Sequence, residues 1–162
     1  MAKLEEASVQ VCAPPARVFI SYSHRDKIWR DKLATHLQVF HMGGFIHTWS
    51  DQNIMAGDWW LEGIEREMNR AAISILLITA DFLISPFIIK QEVPRLLERR
   101  SQEGMAILPI IVRSCLWQEV PWLSKMQVRP LDGKPLAKFR GDRLDSELTT
   151  IAREVLHLAR IY

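Results

Sequence analysis

The sequence predicts an α/β domain built on a doubly wound parallel sheet, with helices on both faces. Three observations carry that expectation. Short, almost wholly apolar runs alternate with longer segments of helical period, the runs empty into polar loops, and 162 residues suffice for one hydrophobic core but not comfortably for two. Hydrophobic residues make up 48% of the chain and charged residues 25%, the balance of an ordinary globular domain rather than a disordered or fibrous one.

Residues 1–16, closing on Pro14-Pro15 and Ala16, show no apolar period and read as an extended lead, so the domain is expected over residues 17–162. The first strand is RVFISY (17–22), which empties into Ser23-His24-Arg25-Asp26. Ile28, Trp29, Leu33, Leu37 and Phe40 then recur near helical spacing until Gly43-Gly44 stops the helix. A second strand covers Phe45 to Trp49. It leads into the loop SDQNIMAGD (50–58), where Asp58 is placed to cap a helix carrying Trp60, Ile64, Met68 and Ala71 on one face.

The run ISILLIT (73–79) is apolar almost throughout, the mark of a strand covered on both sides. Ser85-Pro86 supplies an N-cap and a first-turn proline for a third helix, whose Ile89, Val93, Leu96 and Leu97 point one way. MAILPIIV (105–112) is the fourth strand. The segment from Arg113 to Lys138 holds a short fifth near Met126 to Val128, and an amphipathic helix over about Arg143 to Ile161 closes the chain. With right-handed crossovers, these elements suit a flavodoxin-like sheet of about five strands in the order 2-1-3-4-5.

Composition removes several function classes. A net charge of +2 with both signs interspersed offers no basic stripe for nucleic acid. The start MAKLEEASVQ lacks the features of a secretory signal, and the longest apolar stretch, Ala71 to Ile89, is broken by Asp81 and Ser85-Pro86. The chain is therefore expected to be cytoplasmic and off the membrane. Its two cysteines, Cys12 and Cys115, show no CxxC spacing and are expected to be free thiols. The five histidines form no HExxH, and there is no glycine-rich phosphate loop, so neither a metal nor a cofactor is expected.

Four segments carry a family resemblance through their order and spacing. RVFISYSHRD, then WSDQNIMAGDWWLEGI, then ISILLITADFLISPFIIKQE, then MAILPIIV with Trp117 beyond it, together resemble the Toll/interleukin receptor (TIR) family over residues 17 to about 139. The resemblance implies a bacterial-type TIR that cleaves the nicotinamide–ribose bond of NAD⁺, releasing nicotinamide and ADP-ribose or a cyclic ADP-ribose. NAD⁺ is then substrate, not cofactor. It also implies activation by association with other TIR subunits, as a homo-oligomer or filament, and an effector role in a bacterial immune, antiphage protein. The competing function is a non-catalytic TIR scaffold for protein interaction. A phosphoacceptor domain of the same topology needs an acidic pair at the end of the first strand, where this chain has Ser21-Tyr22.

By the same resemblance Glu92 is the catalytic acid. Residue geometry alone puts Glu92 at the flank of the helix-three stripe, on the side of Ser85 and Ile88. Pro94 lacks an N–H and crowds the carbonyl of Lys90, which loosens the helix around Glu92. The same residues also fit a solvated glutamate paired with Arg95 or Arg99. The resemblance further implies nucleotide contacts from Tyr22, Ser23 and Arg25, the last by a fork that suits phosphate oxygens, although Arg25-Asp26 also reads as a helix-capping charge pair.

Ile54 and Gly57 match positions at the rim of the site, and Trp117 matches a tryptophan that stacks on adenine, or else packs structurally. Ile88 stands where some relatives carry tryptophan, and Met55 where some carry an acid. Met55 and Trp59 are expected on an interaction surface, since apolar side chains on a polar loop suit docking. Trp59 and Trp60, being adjacent, cannot share one helix face, so one is expected in the core.

Overall fold

The apolar run at 73–78 forms an interior strand of a parallel sheet, as its lack of polar alternation requires. A computed structural model of the chain describes residues 14–50 and 59–162. Its strands are β1 (Ala16–Ser21), β2 (Ile46–Trp49), β3 (Ile73–Ile78) and β4 (Ala106–Ile111), all parallel, in the order β2-β1-β3-β4. This is the flavodoxin-like arrangement for the four strands present. The lead (1–13), the loop 51–58 and Asp58 with its expected capping role lie outside the described residues.

Side-chain alternation sorts the strands onto two cores. Val18 and Ile20 of β1 and Ile73, Ile75 and Leu77 of β3 face a core closed by α1 (Lys27–Met42) and α6 (Gly141–Ile161), through Leu33, Leu37, Leu148, Ile151 and Val155. Phe19, Leu76 and Ile78 face the other way, against Ile64 and Met68 of α2 (Trp60–Arg70), Val93 and Leu96 of α4 (Val93–Glu103) and Leu123 of the short α5 (Pro121–Ser124). The expected helical stripes therefore do the covering, each on its own side of the sheet.

Two expectations need correction. The fifth strand is absent among the described residues: its place beside β4 holds one parallel bridge between Ile110 and Arg129. Arg129 donates its N–H to the Pro109 carbonyl at 2.9 Å, and Ile111 donates to the Arg129 carbonyl at 2.8 Å. Extending that ladder backward requires Pro109 to donate to Gln127, and proline has no N–H. Neither adjacent tryptophan is in the core. Trp59 is 78% and Trp60 55% exposed, because the stripe of α2 that meets the sheet starts only at Gly63 and Ile64.

Candidate active site

The site forms where β1 and β3 end. After β3 the chain enters a short helix α3 (Ala80–Ile84), capped by Thr79, whose Oγ1 accepts from the Phe82 N–H at 3.1 Å. It breaks at Ser85-Pro86 and restarts, with the Ile88 N–H reaching back to Ser85 Oγ at 3.5 Å, the cap expected from sequence. The restart is not an ordinary α-helix. Residues Ile88–Glu92 form a π-helical turn in which the Val93 N–H bonds the Ile88 carbonyl, five residues back. Pro94, one residue later, cannot supply the bond that an α-helical turn would ask of it, so the wider turn is the local solution.

That turn directs Glu92 inward. It is only 6% exposed, and Ser21, the last residue of β1, donates its hydroxyl to Glu92 Oε2 at 2.5 Å. The alternative of a solvated glutamate paired with Arg95 or Arg99 does not hold. Arg95 bonds Asn69 and Glu98, while Arg99 is buried against the carbonyls of Met68 and Ala71 and pairs with Glu103. The Arg99 hydrogen bond and charge hold the Glu103 carboxyl below its ordinary value, a surface effect far from the cleft.

Glu92 opens on a cleft of about 300 Å³, lined by Tyr22, Ser23, His24, Arg25, Trp60, Ile64, Ser85, Phe87, Ile88 and Glu92. The structure thus brings together five residues expected from sequence: Tyr22, Ser23, Arg25, Ile88 and Glu92. Trp117 does not line this cleft; it packs on the α2–α4 core, near Gly133. Ile54, Met55 and Gly57 lie outside the described residues. Trp59 is surface, at the start of α2 but not part of the cleft wall.

The loop after β1 is held by Asp26, and not as a cap. Its side chain makes no capping bond; it accepts from Thr79 Oγ1 and from Arg113, both at 2.5 Å, and Arg113 also reaches Asp81 at 3.2 Å. Asp26 therefore ties the loop to the ends of β3 and β4. Arg25 beside it is 81% exposed and makes a loose ion pair with Asp81 at 3.8 Å, so its guanidinium can also reach a phosphate. Sequence reasoning missed Ser21 as the partner of Glu92, and Asp26, Thr79 and Arg113 as a tie. The one signal for Ser21 was a hydroxyl closing the apolar run Val18-Phe19-Ile20.

A groove of about 610 Å³ lies beside the first residues of β4, at the amino end of the sheet. It is larger, but its acid, Glu154, is held by two hydrogen bonds from Arg129, and no chemistry converges there. The smaller cleft is the better candidate because it sits at the carboxyl ends of parallel strands and contains a buried carboxylate.

The TIR domain family model matches residues 18–148. The chain belongs to the TIR domain family. It is also similar to a Sinorhizobium fredii (strain NBRC 101917 / NGR234) protein named "Uncharacterized protein y4lF", at 34% identity over 142 residues. That match covers 88% of this chain and 43% of the relative, so the chain spans less than half of that protein's length. TIR domains interact with one another, and their family includes NAD-cleaving enzymes. Among the described residues of this TIR domain, no helix is long and apolar enough to cross a membrane.

Proposed function

We propose that this TIR domain is an NAD⁺ nucleosidase with Glu92 as its catalytic residue. The observation that carries the reading is a buried carboxylate, held by Ser21, opening on a cleft at the carboxyl end of β1. Ordinary glycosidases need a second carboxyl group to protonate an alkoxide as it leaves. Nicotinamide needs none. Its ring nitrogen carries positive charge in NAD⁺, takes the electron pair of the breaking C–N bond and departs neutral.

The ribose is left as an oxocarbenium-like cation, which a carboxylate in a water-poor cleft stabilises; one well-aimed group of this kind contributes about 3–4 kcal/mol. Among the described residues that line the cleft, Glu92 is the one acid, which suits a reaction with that single requirement. Water adding to the cation and losing a proton gives ADP-ribose; attack by an adenine nitrogen gives a cyclic product. Arg25, on the wall of the cleft, holds the diphosphate in this reading. In this reading the domain is the effector of a bacterial immune protein, switched on when TIR subunits associate.

The test is Glu92→Gln in the purified chain, with NAD⁺ and its products separated by chromatography. Turnover falls by roughly 100-fold or more while the thermal midpoint holds. Turnover equal to that of the parent removes Glu92 from catalysis. A scaffold role has one observation in its favour, the exposed Trp59, Trp60 and Leu61 in series at the start of α2. A chain that associates but leaves NAD⁺ intact at every concentration supports it.

A further inference from the structure

Beyond the carboxylate, the cleft has an aromatic wall to which the nucleosidase reading assigns no task. Trp60 and Phe87 both line it, their ring centroids 5.0 Å apart and their planes tilted by 59°. Trp60 is more than half exposed, so burial in this core is not what holds it there. Phe87 instead braces it from the restarted helix, fixing an indole at the mouth of a cleft whose base, Ile64 and Ile88, is aliphatic. The other large ring in the wall, Tyr22, is buried and engaged by the Arg30 guanidinium 5.6 Å from its centroid and by the edge of His24. Of these two rings, Trp60 is the exposed one.

We infer that Trp60, braced by Phe87, is a specificity residue that recognises a cationic pyridinium ring. The inference rests on the nucleosidase reading for its choice of NAD⁺ as the source of that ring. An indole face attracts a cation more strongly than any other side-chain ring does, and a planar pyridinium offers both stacking area and charge. Glu92 in the same cleft adds a negative charge, opposite in sign to that of the ring. A dihydropyridine, as in the reduced dinucleotide, and free nicotinamide are both uncharged and lose this attraction.

The wall therefore selects the oxidised dinucleotide and lets go of the neutral leaving group. Because the ring's charge disappears as the C–N bond breaks, Trp60 acts on the bound substrate rather than on the transition state. Its loss raises KM and kcat together and leaves kcat/KM close to the parent value.

The experiment uses the whole chain and a probe with no ribose, so that its outcome does not depend on hydrolysis. Nicotinamide methylated on its ring nitrogen, a permanent cation, and plain nicotinamide are titrated separately by ligand-observed NMR. The cation binds more tightly than the neutral ring. Trp60→Leu weakens the cation by about 5- to 30-fold and the neutral ring much less, while Trp60→Phe recovers part of the loss. Equal affinity for the two rings, binding of neither, or affinity for the cation unchanged in Trp60→Leu overturns the inference. A chain that prefers the cation yet never consumes NAD⁺ leaves the inference standing and removes the nucleosidase reading.

Discussion

Among the described residues, two carboxylates are buried at the carboxyl ends of the strands, and they are used differently. Asp26 is 1% exposed, and both its oxygens are taken, one by Thr79 and one by Arg113, so that it pins a loop to the ends of β3 and β4. Glu92 is nearly as buried and accepts from Ser21, yet its side chain faces a cleft. Burial of an acid is thus no sign of chemistry in itself. What separates a strut from a reactive group is whether space for a ligand adjoins it.

The comparison breaks most sharply in turnover. Glu92→Gln is expected to lose roughly 100-fold or more in NAD⁺ consumption with folding intact, whereas Asp26→Ala should act on the fold itself. Removing Asp26 leaves Thr79 without its acceptor and Arg113 with only Asp81. The cost is about 3 kcal/mol, at the low end for a broken buried pair because Arg113 is half-exposed. Differential scanning calorimetry should show a midpoint roughly 6–12 °C lower. A midpoint within a degree of the parent would mean that Asp26 is no strut.

A finer version of the contrast uses Ser21. As a positioning residue it acts through Glu92, so Ser21→Ala should lower kcat by about tenfold, while its midpoint moves far less than that of Asp26→Ala. Equal kcat in the variant and the parent shows that Glu92 finds its orientation without the hydroxyl. The smallest effect is expected at Cys115, a free thiol in the segment after β4, which burial pushes above its ordinary pKa. Reductant should leave the midpoint unchanged, and alkylation should be slow at neutral pH and quicken only as alkaline conditions form the thiolate. Rapid modification at pH 7 would contradict that burial.

Much of this was legible in the sequence where a local pattern decides structure. Continuous apolar runs gave β1, β3 and β4, helical period gave the covering faces of α1 and α6, and Pro94 pointed to a loosened helix at Glu92. What stayed hidden depends on residues distant along the chain. Ser21 and Glu92 are 71 positions apart and Asp26 and Arg113 are 87, so Asp26 in its local setting resembled a cap. The fifth strand read as plausible in composition, but its ladder depends on a donor that Pro109 lacks, on another strand. Trp60 belonged to its helical stripe by spacing, yet lies one turn ahead of where α2 meets the sheet.

Pro109 has a second effect, on the company the protein keeps. Its carbonyl, like the N–H of Ile111, points to the outer edge of β4, where a parallel sheet would otherwise offer a row of donors and acceptors to any extended chain in solution. A missing donor midway along that row, with Arg129 seated just beyond it, interrupts the template on which foreign strands could zip. The apolar strand β4 thus stands at the edge of the sheet without an unbroken ladder to offer a foreign strand.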